Sequence, residues 1–362
     1  MTDNMTIETA EDSGAIAPPN QPQVTVAVIS YNGKKVVELC LESIFAQTYP
    51  NLKIWLVNNA STDGTPEWVA EKYPQVEVLN YPENKGPNPA RNFALKESPN
   101  SLVMLVDDDA VLEDNCIAEL VVAAQKYPNG AVWSPRIVYH DQPDLIQFEG
   151  AYIHYLTEAI LVSGDTPLEE GVKDITPIQV AGGVSYMASK EAAKEVGMFD
   201  EYYFFGRTDG EFTFRLTQAG QDIYTVPKAI CYHRVKRRGL SKVFYQVRNR
   251  WYLMLTTYAW KTIFLLAPAL LVYELSLMVF LTLKGRIAEY GRAVLNIISD
   301  FPKILDRRRE IQKLRKLPDR EIIHSAPMNI RGDLVENKAI ALAKSLLDTF
   351  FGLYWKLVER FI

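Results

Sequence analysis

The sequence contains little cysteine and no surplus of positive charge. Its three cysteines, Cys40, Cys116 and Cys231, are widely spaced among 362 residues and form no CxxC pair. This spacing predicts three free thiols in a reducing compartment and argues against a disulfide framework or a structural zinc site. The net charge of −5 gives no reason to expect nucleic acid as a partner.

The N-terminus lacks the apolar segment of a signal peptide. Residues 1–23 carry four acidic side chains and a Pro-Pro pair, and they contain no apolar run. This composition predicts a disordered tail. The remaining chain, with a hydrophobic content of 48% over the whole sequence, is long enough for a large core and for more than one ordinary domain.

From Val24 onward, short apolar runs alternate with segments of helical spacing. Strands are predicted from residue 24 and at 52–57, 76–79 and 102–106, and helices at 36–46, 66–73 and 89–96. Alternation of this kind is typical of right-handed βαβ units, so an α/β fold with a parallel sheet is expected.

Polar residues follow three of the predicted strands, as SYN at 30–32, NN at 58–59 and DDD at 107–109. Ligands of such sheets bind beyond the carboxyl ends of the strands, so these segments should converge on one crevice. Three adjacent carboxylates raise one another's pKa and repel, which costs stability unless a cation lies among them. Asp107-x-Asp109 offers two oxygen ligands of the kind that Mg²⁺ prefers, although a solvated acidic turn has the same composition.

Three further segments carry candidate ligand-binding residues. The side-chain carbonyl of Asn58 is suited to accept the N3–H of a pyrimidine, although NNASTDGT is also a run of ordinary turn formers. In the segment Asn84-Lys85-Gly86, the glycine permits close approach of the backbone to a ligand. Arg91 is either a phosphate-binding residue or a surface charge.

Two candidates lie in the second half of this region. Asp209, in TDGE at the start of a helix predicted at 210–219, is either a general base or a helix cap. Gly220 should end that helix. His233, after the strand-like YTVPKAICYH, is either a neutral imidazole ligand of the metal or a structural histidine.

Six segments, taken in their order along the chain, resemble the family 2 glycosyltransferases. They are VAVISYNG, LVNNASTDGT, NKGPNPARN, LVDDDAVLED, VGMFDE and TDGEFTFRLTQAG with its later YH. These are inverting enzymes with a GT-A fold, and the resemblance covers about residues 24–233. The nearest members are rhamnosyl-, galactofuranosyl- and mannosyltransferase-like enzymes that build cell-surface glycans.

The resemblance implies that Tyr31 and Asn58 hold the nucleotide base of a UDP-, dTDP- or GDP-sugar. It implies that Asp107 and Asp109 bind Mg²⁺ or Mn²⁺ and the diphosphate, with His233 as an additional metal ligand in some members, and that Asp209 deprotonates the acceptor. Together with the residue chemistry above, the predicted donor-binding residues are Tyr31, Asn58, Asn84, Gly86, Arg91, Asp107 and Asp108, and the predicted metal ligands are Asp107, Asp109 and His233.

The sequence departs from the family pattern at two of these positions. Asn58 stands where most members have aspartate, and Thr208 stands where most have the first acidic residue of a Glu-Asp pair. Asp209 is therefore the acidic residue that remains for the role of base.

After His233 the composition changes. The segment 234–250 holds seven basic and no acidic residues, 251–283 is almost wholly apolar, and 303–316 is basic again. Residues 263–283 are long enough to span a bilayer, but a single span would separate two basic segments, against the positive-inside rule. An in-plane or re-entrant arrangement on anionic headgroups is favoured; a buried helix or a homo-oligomer surface is the alternative.

A helical stripe ends the chain. It consists of Ile340, Ala343, Leu347, Phe350, Tyr354, Leu357 and Phe361. The predicted organisation is therefore a tail at 1–23, a GT-A catalytic domain at 24–235, a basic and apolar helical membrane-associating region at 236–320, and a C-terminal amphipathic helix at 321–362.

The predicted function is transfer of a hexosyl or deoxyhexosyl group to a polyprenyl- or other lipid-linked acceptor at the cytoplasmic face of the cell membrane. Two alternatives keep the fold: direct transfer to polyprenyl phosphate, and a non-catalytic membrane scaffold. A nucleotidyltransferase would usually have a glycine- and basic-rich N-terminal loop, which VAVISYNG lacks.

Overall fold

The structure, a computed structural model, describes residues 21–235, 240–329 and 338–362. Most of the predicted N-terminal tail and residues 236–239 of the first basic segment lie outside these described residues. The structure leaves all three cysteines as free, buried thiols, as their spacing predicts.

Fourteen strands are formed by the described residues. In chain order they are β1 (Val24–Ser30), β2 (Leu52–Asn59), β3 (Glu77–Tyr81), β4 (Leu102–Asp107), β5 (Ala110–Leu112), β6 (Gly130–Tyr139), β7 (Gln142–Phe148), β8 (Ala151–His154), β9 (Ala159–Leu161), β10 (Thr166–Pro167), β11 (Thr176–Ile178), β12 (Ser185–Ser189), β13 (Asp222–His233) and β14 (Ile323–His324).

Twelve α-helices accompany these strands within the same residues. They are α1 (Val37–Phe45), α2 (Thr65–Lys72), α3 (Pro87–Glu97), α4 (Cys116–Lys126), α5 (Lys190–Glu195), α6 (Thr208–Gln218), α7 (Val243–Thr257), α8 (Trp260–Leu283), α9 (Ile287–Ser299), α10 (Phe301–Leu314), α11 (Asp319–Ile322) and α12 (Lys338–Val358). Short 3₁₀ turns occur at Leu168–Glu170 and Glu359–Phe361.

The main sheet is mixed and has the strand order β10-β7-β6-β12-β4-β1-β2-β3, with β13 pairing β6, β5 and β11. Its centre is parallel, since β1 pairs in parallel with both β2 and β4, and β2 with β3. These strands and the helices α1, α2 and α3 lie where the sequence predicts them, within two residues at each end. The α/β prediction is confirmed.

The central strand β1 shows why the sequence folds in this way. All seven of its residues are buried, as expected for a parallel strand that is covered on both faces. Val24, Val26 and Val28 pack into one hydrophobic cluster, and Ala27 and Ile29 into another on the opposite face. The two-residue period of a strand therefore distributes one β-branched run between two cores.

The strand register brings the polar segments together. Ser30 is paired with Asn58, Asn58 with Asn80, and Ile29 with Asp107. The carboxyl ends of four parallel strands thus meet at one edge of the sheet, where the sequence predicts the crevice. Since β1 lies between β4 and β2, the direction of chain progression reverses at this point, which is where α/β sheets bind ligands.

The C-terminal helices pack on the α/β region and on one another. The Gln218 amide at the end of α6 donates a hydrogen bond of 3.0 Å to the carbonyl of Thr257 at the end of α7. The Arg308 guanidinium on α10 donates hydrogen bonds of 2.6 Å to the carbonyls of Leu255 and Tyr258. The strand β14 pairs in parallel with β8 and, with β9, forms a separate three-stranded sheet. The predicted boundary at 321 falls inside α11, and within the described residues the C-terminal helix is α12, Lys338–Val358.

Of the predicted stripe on α12, Leu347 and Tyr354 pack against the hydrophobic core. The buried side chains are Phe351, Trp355 and Val358, whereas Phe350 and Leu357 of the stripe are exposed. The stripe therefore contributes to both the packed and the exposed side, because α12 is apolar on more than one side and hydrophobic periodicity alone cannot identify the buried face.

Candidate active site

Each of the three adjacent carboxylates at the end of β4 faces a different partner. Asp107 ends β4 and faces Arg91, at 3.0 Å between Oδ1 and Nη2. Asp108 accepts a hydrogen bond of 2.5 Å from the hydroxyl of Ser30. Asp109 lies opposite His233, with 3.8 Å between Oδ1 and Nε2. The structure therefore divides the DDD segment among three neighbouring elements.

Arg91, on α3, lies beneath these carboxylates and is only 3% exposed. Its Nη1 is 2.7 Å from Oδ1 of Asp209, and its Nη2 also donates a hydrogen bond of 2.9 Å to the carbonyl of Gly183. Burial alone would lower the pKa of Arg91, but Asp209 and Asp107 outweigh it and raise that pKa. Arg91 is thus a permanent cation that joins the strand-end carboxylate to the predicted base. Both terminal nitrogens of Arg91 have partners within the protein. The contact with a phosphate stays a prediction.

Asp209 is the second residue of α6 and is 8% exposed. Besides Arg91, its carboxylate accepts hydrogen bonds of 3.0 Å from the Tyr186 hydroxyl and 2.7 Å from the Thr208 hydroxyl. The first turn of a helix favours a negative charge. Several contacts therefore hold this carboxylate in one orientation at the edge of the crevice.

The residues opposite Asp109 fit a divalent cation. His233 ends β13, where it is paired with Ala110 of β5, so the two strands place its ring beside the Asp109 carboxylate. Its Nδ1 lies 2.9 Å from Oε1 of Gln147, an acceptor that assigns the ring proton to Nδ1. With the proton on Nδ1, Nε2 carries a lone pair, and this nitrogen is the one 3.8 Å from Asp109. Histidine ligands usually have this arrangement, in which an acceptor holds the proton of the other ring nitrogen.

The charge at the strand end also fits a cation. Desolvation raises the pKa of Asp107 to about 7; Arg91 opposes this rise, and Asp209, Asp109 and Asp108 add to it. Within the described residues, no three histidine, cysteine or acidic side chains converge closely enough to hold a metal by themselves. Metal binding by Asp107, Asp109 and His233 therefore stays a prediction, and a site with so few protein ligands would need substrate phosphates to complete it.

On the donor side, Tyr31 and Asn58 lie at the ends of neighbouring strands. Tyr31 directly follows β1 and is 50% exposed. Asn58 is buried; its Nδ2 donates to Oδ1 of Asn80 at 2.8 Å, and its Oδ1 accepts from the Ser61 amide at 3.0 Å. A carbonyl oxygen has a second lone pair for a further donor, which keeps the predicted base contact open.

Asn84 and Gly86 shape the neighbouring loop. Oδ1 of Asn84 accepts a hydrogen bond of 3.0 Å from the Gly86 amide, which is an Asx turn. Gly86 has φ +94°, and a β-carbon there would lie 2.6 Å from the carbonyl oxygen of Phe204. The close approach expected at this glycine is therefore to the backbone of the loop before α6, and the donor role of both residues stays a prediction.

The roles of three residues of the site could not be predicted from the sequence. They are Ser30, Gln147 and Tyr186. Ser30 belongs to a recognised polar segment, but its partner Asp108 is 78 residues away. Gln147 and Tyr186 lie within the strands β7 and β12, where a single polar side chain is common. Alternation within β12 at least predicts that Tyr186 and Ala188 share a face.

The chain is similar to known glycosyl transferases in both sequence and fold. A model of the glycosyl transferase family group 2 matches residues 102–296, more than half of the chain, and a model of glycosyl transferase family 2 matches residues 25–178. The crystal structure of GalNAc-T7 with UDP, GalNAc and Mn²⁺ superposes with a TM-score of 0.54 at 14% identity, over 66% of this chain and 49% of that one. The two chains thus share the GT-A fold.

Two curated relatives illustrate the extent of the sequence similarity. Glycosyltransferase GlyA of Streptococcus pneumoniae is 23% identical over 229 residues, which are 61% of this chain and 32% of GlyA. The poly-beta-1,6-N-acetyl-D-glucosamine synthase of Staphylococcus epidermidis is 25% identical over 213 residues, which are 58% of this chain and 49% of the synthase. The matched region therefore spans less than half of either relative.

Proposed function

The chain belongs to the family 2 glycosyltransferases, and from that premise we propose that it moves a hexosyl or deoxyhexosyl group from a nucleotide sugar to a lipid-linked saccharide, with inversion at the anomeric carbon. One observation carries this proposal: Arg91 joins Asp107 at the end of β4 to Asp209 at the start of α6. A diphosphate-binding carboxylate and a general base must lie on either side of the same reacting carbon, and Arg91 holds these two in one place.

The donor is assigned to the crevice at the carboxyl ends of β1, β2 and β4. The exposed ring of Tyr31 and the carbonyl oxygen of Asn58 are suited to a nucleotide base, and UDP, dTDP and GDP are the candidates. GalNAc-T7, which shares the fold, was crystallised with UDP, and this supports a nucleotide-sugar donor.

The diphosphate is assigned to the DDD segment. Asp109 and His233 would hold Mg²⁺ or Mn²⁺, with Asp107 and Asp108 beside them; the GalNAc-T7 structure contains Mn²⁺. When bound, the metal would neutralise charge on the departing nucleoside diphosphate. Gln147 keeps the Nδ1 proton of His233 in place, so that Nε2 presents its lone pair to a cation.

The transfer step uses Asp209 as base. The acceptor oxygen forms a bond to the anomeric carbon on the face opposite the leaving group while the bond to the diphosphate oxygen breaks. The electron pair of that bond leaves with the nucleoside diphosphate, and the acceptor proton passes to a carboxylate oxygen of Asp209. Tyr186, Thr208 and Arg91 orient that carboxylate before the acceptor arrives.

The acceptor is assigned to the membrane because of the apolar helix α8. By length and composition, α8 is the one helix in the described parts of the chain that can cross a bilayer. In its apolar stretch of 18 residues, only 22% is buried within the protein. A transferase that uses a soluble donor at the cytoplasmic face needs a membrane contact only if its acceptor is there. The synthase named above makes a polysaccharide, which supports a role in glycan assembly.

A transfer assay tests the proposal. Radiolabelled UDP-, dTDP- and GDP-sugars would be incubated with polyprenyl-diphosphate saccharides, and the anomeric configuration of the product determined by NMR. The expected result is an inverted linkage from one donor class, with kcat reduced about 100- to 10,000-fold in Asp209→Asn. The matched control is Glu211→Gln on the same helical turn: it breaks an ion pair with Arg215 and should lower stability but not the kcat of folded protein. If the protein showed no transfer and no donor hydrolysis with any of the sugars, this result would contradict the proposal and favour a scaffold.

A further inference from the structure

Within the described parts of the chain, two neighbouring helices present an exposed apolar surface. Phe264, Leu271 and Leu283 on α8, and Leu346, Leu353 and Leu357 on α12, are between 59% and 79% exposed; together they define what we name the apolar face. The helices lie side by side, since the Tyr354 hydroxyl on α12 donates a hydrogen bond of 2.6 Å to the carbonyl of Leu265 on α8. An exposed surface of this kind marks an interaction site.

The opposite side of α8 is charged and packed on the protein. Glu274 is buried, where it forms an ion pair with Arg250 of α7 and accepts a hydrogen bond of 2.8 Å from the hydroxyl of Tyr290 on α9. The glutamate that interrupts the apolar run in sequence therefore faces inward. A helix that crossed the bilayer here would carry this buried ion pair into hydrocarbon, which is costly.

A second contact of α8 leads to the loop that precedes the base. The Tyr273 hydroxyl donates a hydrogen bond of 3.0 Å to Glu158, whose carboxylate accepts two hydrogen bonds of 3.0 Å from Arg207. Arg207 has φ +58° and stands two residues before Asp209. The helix is thus anchored to the catalytic side of the molecule rather than free to insert independently.

The charge around the apolar face is positive. Residues 260–286 and 338–362 hold seven basic and three acidic side chains, in a chain whose net charge is −5. Glu274 is paired with Arg250 and Asp348 with Lys344, and among the basic residues Arg286 is also paired, with Glu289. Basic side chains at the ends of apolar helices are suited to the anionic headgroups of a phospholipid bilayer.

We propose that α8 and α12 together form a docking surface for an anionic phospholipid bilayer, in which α8 lies in the plane of the interface and both its ends stay on the cytoplasmic side. The inference rests on the membrane location given under the proposed function and is independent of the donor chemistry. Through Tyr273, Glu158 and Arg207, the same helix holds the loop before Asp209, so a lipid-linked acceptor emerging from the interface would meet the base at the membrane surface.

Vesicle sedimentation tests the surface. The full chain would be mixed with vesicles of phosphatidylcholine alone, or of phosphatidylcholine with phosphatidylglycerol. We expect binding to the anionic vesicles, reduced at least about tenfold in the double variant Leu271→Glu, Leu346→Glu. Leu39→Glu is the matched control, because Leu39 is an exposed leucine on α1, away from this face, and its replacement should leave binding unchanged. Equal binding by the double variant would overturn the proposal.

Thiol labelling tests the orientation. Lys261→Cys and Lys284→Cys place a thiol at either end of α8, and the three native cysteines are buried. Both new thiols should react with an impermeant maleimide from the same side of sealed vesicles; reaction from opposite sides would show a span and overturn the proposal. Dissociation of a lipid-free dimer by the double variant, with vesicle binding intact, would assign the face to a second copy instead. Donor binding in solution is measured separately, so its failure leaves the surface standing.

Discussion

A β-carbon added to Gly183 would overlap Oδ2 of Asp209. Gly183 precedes β12, and its carbonyl also accepts a hydrogen bond from Arg91. The backbone at 183 thus forms one wall of the space in which the proposed base lies, and a residue without a side chain is required there.

Gly183→Ala should therefore displace the Asp209 carboxylate. We expect kcat to fall about 100-fold, because a misplacement on the order of 1 Å has that effect on an oriented catalytic group. Gly210→Ala is the control: its β-carbon would meet the nearest atom, Cγ1 of Val180, at an ordinary 3.5 Å. Equal kcat values for the two variants would show that the position of Asp209 is not limiting.

Arg91→Lys should keep the charge and lose the geometry. A lysine ammonium is a point donor and cannot reach Asp107, Asp209 and the Gly183 carbonyl together, so we expect kcat to fall at least about tenfold in a folded protein. Arg91→Met removes the charge and leaves two carboxylates without their cation, which should cost about 3–5 kcal/mol in urea unfolding. Wild-type kcat in Arg91→Lys would mean that Arg91 has only a structural role.

Gln147→Leu tests the proposed metal ligand without altering it. Loss of the acceptor for Nδ1 allows the His233 ring to rotate or change tautomer, and metal affinity should fall about 10- to 100-fold. The affinity can be measured as the Mn²⁺ concentration that half-restores nucleotide binding. His233→Gln should weaken metal binding at least as much; unchanged Mn²⁺ dependence in both variants would remove His233 from the site.

We expect the buried side chain of His154 to make the stability of the folded protein depend on pH. Burial lowers its pKa from 6.5 to about 4, so between these values the unfolded chain binds a proton that the folded protein does not. Stability from this group is therefore complete above pH 6.5 and falls as the pH drops toward 4, by up to about 3 kcal/mol. His154→Asn should flatten the acid side of the urea-unfolding profile. Identical profiles for His154→Asn and wild type would contradict this assignment.

The sequence predicts the central part of the fold well because its strands are buried on both faces. The runs that become β1 and β4 have few polar interruptions, and each ends abruptly in polar residues, so both the element and its carboxyl end are visible in one pass. Since parallel strands align their ends, the meeting of Ser30, Asn58 and Asp107 follows from topology alone.

Partners distant in sequence could not be predicted. An arginine in a helix gives no indication whether it faces phosphate or carboxylate; Arg91 does the latter because α3 packs under the end of β4 and beside the start of α6. The glycine at 86 indicates a close approach but not to what, and its neighbour Phe204 lies far along the chain. On α8 and α12, apolar residues on several sides conceal which face is packed and which is open.

Donor binding by calorimetry tests the central claim most directly. UDP-, dTDP- and GDP-sugars would be titrated with and without Mn²⁺ into wild type, Asp109→Ala and, as a control, Asp114→Ala, an exposed aspartate that follows β5. We predict Mn²⁺-dependent binding of one nucleotide class, kept in Asp114→Ala and lost in Asp109→Ala. No binding of any nucleotide by folded wild-type protein, or equal binding by Asp109→Ala, would contradict the assignment of the strand-end carboxylates to a metal–diphosphate site.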